Sequence, residues 1–196
     1  SDLSEEKVQQ YIRFINVSRK RLLPFLNDLM DISRLELGGM RFKMAEHSLL
    51  ELAKQAIEEM RIHSKGIEGF EFEIVEPDFD TTVACDSQRI IQVFQNLFSN
   101  AFKFSAEGAE ARVSFKQDTI SHYQHDKEVQ RSAISVCVRD FGIGIPESEL
   151  ETIFDLFVLS SKTRAGYGGA GLGLPICREI IEAHHGRINA DNDELL

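Results

Sequence analysis

Asp140-Phe-Gly-Ile-Gly-Ile-Pro146 and Gly166-Tyr-Gly-Gly-Ala-Gly-Leu-Gly-Leu174 together hold seven of the chain's 13 glycines. Fixing a glycine costs more backbone entropy than fixing any other residue, so clustering of this kind needs a reason. Glycines let the main chain turn through positive φ and come close to a ligand, with amide N–H groups facing phosphate oxygens. The second run passes directly into a helical pattern, Leu172 to His184. That sets the unpaired N–H groups and positive dipole end of a helix beside the glycines. Pro175 suits the first turn of that helix, where a missing N–H costs little. Either run alone would suit a plain surface turn. Together they point to a nucleotide.

A third motif lies upstream: Asp86-Ser-Gln-Arg-Ile-Ile-Gln-Val-Phe-Gln-Asn-Leu-Phe-Ser-Asn-Ala-Phe-Lys-Phe104. The order Asn96, Asn100 and Lys103, then Asp140-x-Gly-x-Gly-x-Pro, then Phe154-Asp-Leu-Phe157, then Gly169-x-Gly-x-Gly resembles the ATP-binding catalytic domain of sensor histidine kinases. These correspond to that family's N box, first glycine box, F box and second glycine box, in the family's order. The resemblance covers roughly residues 40–192. It implies the Bergerat-type ATP-binding fold, shared with gyrase-like topoisomerases, heat-shock-90 chaperones and mismatch-repair ATPases.

Composition fits such a domain. The chain has 196 residues, 42% hydrophobic and 28% charged, enough for a real core in one domain plus an appendage. A net charge of −10 argues against nucleic-acid binding, which wants a basic face. It leaves ATP open, because a few placed lysines and Mg²⁺ handle phosphates locally. Cys85, Cys137 and Cys177 show no paired spacing and read as reduced thiols. No apolar run reaches transmembrane length, so the reading is a cytoplasmic piece without membrane contact, any anchor of the parent protein left open.

Residues 5–37 read as one long amphipathic helix, with Val8, Ile15, Leu22 and Leu29 in a heptad row, Ser4 as cap and Gly38-Gly39 as stop. Pro24 predicts a bend, or a break between two helices. Residues 26–40 resemble the second helix of the kinase dimerisation hairpin, which implies residues 1–39 as part of that hairpin and a homodimer in the full-length protein. From there the pattern predicts a strand over 40–46 and a helix over 48–63, with a capping box from Ser48 and Glu51. Strands at 70–75 and 81–85 follow, then a helix over 87–103 and a strand at 110–117. Residues 118–131 are polar and read as a hairpin loop; His122 and His125 within it suggest solvated residues rather than a metal pair. A strand at 133–139 delivers Asp140, and a short helix near 147–153 leads into the F box. Strands and helices mix without βαβ rhythm. The fold class is therefore an α/β sandwich, a mixed or mainly antiparallel sheet with helices on one face, preceded by the long helix.

Helical spacing sets Asn96, Asn100 and Lys103 on one face, with Phe94, Leu97, Phe98 and Ala101 on the neighbouring core face. The amide oxygen of Asn100 is a suitable hard ligand for Mg²⁺, and Lys103 can meet a phosphate as a point charge. Asn96 stands where ATP-hydrolysing relatives carry a water-activating glutamate, and an amide cannot act as a general base. The resemblance gives Asn96 and Lys103 as catalytic positions and Asp140 as acceptor for the adenine amino group. It implies further nucleotide contacts from Gly142, Gly144, Ile145, Phe157, Gly169, Gly171, Leu172 and Gly173. Residues 158–170 read as a lid over the triphosphate, with Lys162 or Arg164 meeting the γ-phosphate.

Two departures matter. None of His47, His63, His122, His125, His184 and His185 has the context of an acceptor histidine, so the acceptor helix would lie upstream, as in a truncated piece. A kinase without a usable acceptor is the alternative. The family closes with one more strand after residue 192, and the domain over 40–196 either lacks it or differs at that sheet edge. The expected function is phosphoryl transfer from Mg–ATP to a histidine outside the chain, with an acceptor helix and a response regulator receiver domain as partners. The alternatives are a degenerate kinase acting as a regulatory module and an ATP-hydrolysing enzyme, the latter disfavoured by Asn96.

Overall fold

The computed structural model describes residues 5–36, 41–63, 69–106, 109–124, 127–163 and 170–192. The chain divides into two compact units, Ser1–Met40 and Arg41–Leu196. In the first, helix α1 spans Glu5–Glu36. It passes through Pro24 as one helix, so of the two readings the break between two helices does not occur: proline removes a single N–H bond, and the apolar periodicity on both sides carries the helix across. The heptad row Val8, Ile15, Leu22 and Leu29 is exposed throughout. The proposed cap at Ser4 and stop at Gly38-Gly39 lie outside the described residues.

The second unit begins with β1, Ala45–Ser48, paired antiparallel with β3, Thr82–Cys85. The strand expected at 40–46 is thus displaced. Pairing decides it: Ala45 faces Cys85 and Ser48 faces Thr82, whereas Arg41–Met44 have no partner strand among the described residues. Helix α2, Leu49–His63, follows at once. Ser48 Oγ accepts the Glu51 amide at 3.3 Å, which is the predicted cap. The second half of the capping box does not form, because Glu51 turns to Lys54 Nζ at 3.4 Å. Leu49, Leu52, Ala53, Ala56, Ile57 and Met60 are buried, as the helical period requires.

Strand β2, Glu71–Ile74, buries Phe72 and exposes Glu71 and Glu73. It runs parallel to β4, Glu110–Gln124, which pairs antiparallel with β5, Lys127–Asp140. The sheet order is β2-β4-β5, with β1-β3 as a second, two-stranded sheet. The mixed sheets with packed helices make an α/β architecture.

The hairpin expected at 118–131 forms, but its residues 118–124 and 127–131 are strand rather than loop. They are the outer half of a long hairpin in which Asp118 faces Ala133 and Gln124 faces Lys127. Beyond Val113 the ribbon has no third strand among the described residues, and its sequence carries no apolar alternation to announce it.

Helix α3, Ser87–Phe104, joins the layers. It packs on α2, on β4 and β5, and on α4, Gly173–Ala183. Phe94, Phe98 and Ala101 are buried as expected, with Ile90 and Val93, while Leu97 is only half-buried. Phe98 is fully enclosed; its ring stacks on Phe94 at 5.5 Å and meets Phe72 at 5.0 Å. Phe70 extends the cluster to Phe72 and Phe102. The short helix expected near 147–153 is two 3₁₀ turns, Glu147–Glu149 and Thr152–Phe154. Cys85 and Cys177 are buried free thiols and Cys137 an exposed one. Burial, with the Asp86 charge, pushes the Cys85 thiol up. No helix among the described residues is long and apolar enough to cross a membrane.

Candidate functional site

Asp86 fixes where α3 begins. Its Oδ1 accepts the Arg89 amide at 3.2 Å, an N-cap, and its Oδ2 accepts the Lys43 amide at 2.8 Å. Burial pushes this carboxyl up, but backbone N–H groups of Lys43, Arg89 and Gln88 outweigh it, and its pKa lies below the ordinary carboxylate value. The Asp86 amide donates to His184 Nε2 at 2.9 Å. A neutral ring accepting there carries its proton on Nδ1, which sits 2.7 Å from the Ile180 carbonyl. The start of α3 and the end of α4 are therefore latched together. Sequence reasoning missed this latch, since nothing local marks His184 as a partner of Asp86.

With its start fixed, α3 presents Asn96, Asn100 and Lys103. Asn96 Nδ2 donates to the Gly173 carbonyl at 3.3 Å, in the first turn of α4. A carboxylate at 96 would set two oxygens against that carbonyl. Asn100 is half-buried and has no hydrogen-bond partner among the described residues; Lys103 is exposed. Leu172, buried, opens α4, and no side chain caps the helix. Pro175 lies in the first turn as predicted. The uncapped N-terminus of α4 can offer N–H groups to an anion.

At its other end α3 meets the first glycine turn. The Ile143 amide donates to the Phe104 carbonyl at 3.2 Å, and the Gly142 amide to Asp140 Oδ1 at 2.8 Å. A Cβ at Gly142 would lie 2.5 Å from the Phe104 oxygen and 2.7 Å from Asp140 Oδ1, so only glycine fits. Gly144 adopts φ of 63°. Lys162 Nζ donates to the Ile143 carbonyl at 2.7 Å, and the Asn192 amide bonds both the N–H and the carbonyl of Ile145. From Asn96 to Phe104 the helix rises about 12 Å, so α3 alone spaces the two glycine segments.

The segment after the F box leaves through a narrow neck. Phe157, at φ 64°, donates its amide to the Gly171 carbonyl at 3.0 Å. Gly171 sits at φ 67°, and a Cβ there would lie 2.7 Å from the Val158 oxygen. Phe154 is buried under Arg178, whose guanidinium lies 4.6 Å above the ring. The same guanidinium contacts Asp155 at 3.7 Å and the Glu151 carbonyl at 3.3 Å. Arg178 too was beyond the reach of the sequence, being one more polar position on an amphipathic helix. Gly169 and Arg164, both expected at the nucleotide, lie outside the described residues.

Among the described residues no cluster of three or more His, Cys, Asp or Glu could hold a metal. The donor set instead offers single amide oxygens on α3. Mg²⁺ takes few protein ligands and completes its shell with water and phosphate oxygens, so Asn100 fits it.

Residues 85–194 match the family model described as histidine kinase-, DNA gyrase B- and HSP90-like ATPase. The chain is 33% identical over 187 residues to hybrid signal transduction histidine kinase L of Dictyostelium discoideum, covering 93% of this chain and 10% of that protein. It is 31% identical over 186 residues to sensor histidine kinase WalK of Bacillus subtilis, covering 93% of this chain and 28% of that protein. The chain thus spans less than a third of the length of either relative. Histidine kinase ThkA, solved in complex with response regulator protein TrrA, superposes with a TM-score of 0.58 at 26% identity, covering 99% of this chain and 50% of that one. A family model that matches more than half the chain, on a fold with both glycine segments at α3, is decisive: the chain belongs to the histidine kinase-, DNA gyrase B- and HSP90-like ATPase family.

Proposed function

We propose that residues 40–196 bind Mg–ATP and direct its γ-phosphoryl group to a histidine outside the chain, as the catalytic region of a two-component sensor histidine kinase. The observation that carries this reading is the amide at position 96, bonded to the first turn of α4. An amide there cannot deprotonate water, so the bound triphosphate is protected from hydrolysis and kept for another acceptor. The second oxygen of Asp140 takes the adenine amino group, since the first already holds the glycine turn. Asn100 holds the metal and Lys103 a phosphate, and the α4 N-terminus offers its amides to the phosphates. Magnesium, when bound, neutralises phosphate charge. Residues 158–170 cover the triphosphate, with Lys162 exchanging the Ile143 carbonyl for phosphate.

Residues 1–39 are the second helix of a dimerisation hairpin, and their exposed apolar row pairs in a homodimer of the full-length protein, with this region on the cytoplasmic side of any membrane anchor. The partners are an acceptor-histidine helix and a response regulator; the TrrA complex of ThkA supports the latter. Calorimetry with ATP, with and without Mg²⁺, tests the site. Micromolar, Mg-dependent binding is expected, lost in Asp140→Asn, with phosphoryl transfer to an added acceptor helix. Rapid steady-state ATP hydrolysis, or no binding by the wild type, would sink the reading.

A further inference from the structure

We infer that Asn192 is a positioning residue for the nucleotide site, clasping the first glycine turn from a point outside all four boxes. The inference rests on the nucleotide reading above. The Ile145 amide donates to Asn192 Oδ1 at 3.0 Å, and Asn192 Nδ2 donates to the Ile145 carbonyl at 2.6 Å. One side chain thus satisfies both main-chain groups of one residue, as a neighbouring strand would. The clasp closes over the left-handed Gly144, where an added Cβ would lie 3.1 Å from Asn192 Oδ1. Lys162 holds the preceding carbonyl at Ile143, and Phe104 holds the Ile143 amide. Lys162 is expected to leave for phosphate once nucleotide binds. Asn192 then becomes the side chain that keeps residues 143–145 in place beside Asp140.

The amide is specific to the task. Aspartate would accept from the Ile145 N–H but set an oxygen against the Ile145 carbonyl; alanine makes neither bond. Both Asn192 bonds are exposed, so water can take up the Ile145 groups when the side chain is lost, and the cost to the fold is small.

The test is calorimetric titration of wild type, Asn192→Ala, Asn192→Asp and Asp140→Asn with ADP, with melting temperatures and hydrogen exchange at the Ile145 amide in the free proteins. Both Asn192 variants are expected to bind ADP about tenfold more weakly, with melting within about 2 °C of wild type and faster exchange at Ile145. If wild type binds, Asp140→Asn does not, and both Asn192 variants bind within about twofold of wild type, the inference is overturned while the nucleotide reading stands. A joint fall in melting temperature and affinity would make Asn192 a stability residue and overturn its positioning role. No binding by wild type would remove the nucleotide reading, and the inference with it.

Discussion

Replacing Asp86 with alanine should destabilise the second unit more than any other single change to an acidic side chain in it. Two of the carboxylate's main-chain bonds, to Arg89 and Lys43, carry most of the loss. Loss of the N-cap to Arg89 costs about 1 kcal/mol. Loss of the charge-assisted bond to the Lys43 amide costs about 2 kcal/mol, because the side chain is only 7% exposed and water replaces it poorly. The sum, about 3 kcal/mol, corresponds to a fall of about 6–12 °C in melting temperature for a unit of this size. The pH dependence gives a second signature. The folded pKa of Asp86 lies below its unfolded value, so its contribution is complete above the unfolded pKa. It is lost as pH falls through the folded pKa. The stability gap between wild type and Asp86→Ala, measured by urea unfolding, should therefore be full at neutral pH and shrink below about pH 4. A melting-temperature loss under about 2 °C, or a gap of equal size at neutral and acid pH, would refute the reasoning.

Two further substitutions probe the site and the core. Gly142→Ala places a methyl 2.5 Å from the Phe104 carbonyl oxygen, so the turn must leave α3; ATP affinity measured by calorimetry should fall at least about tenfold. Phe98→Ala empties the centre of the aromatic cluster and should cost about 3–5 kcal/mol in urea unfolding, a large part of the stability of a typical domain.

What the sequence disclosed follows the range of the forces involved. The core faces of α2 and α3 were legible because one helix repeats its apolar contacts at a local period. Asp140 and the glycine turn were legible because positive φ and close approach demand glycine itself. The outer hairpin was not, because its pairing satisfies main-chain groups without burying side chains, and a polar strand then has the composition of a loop. Strand β1 shifted for a related reason: its register is set by β3, some forty residues away in sequence. The His184 latch and the Asn192 clasp join residues 98 and 47 positions apart, and neither leaves a trace in local pattern. Both surround the boxes rather than belong to them.

The neck at Phe157 and Gly171 separates the length of the chain between them from the stability of the body that holds them. Its two ends are already held by one main-chain bond, whatever runs between them. Entropy of closure grows only with the logarithm of length, so doubling such a segment adds about 0.6 kcal/mol. The region between the neck residues can therefore lengthen, shorten or change composition while the fold beneath it stays the same.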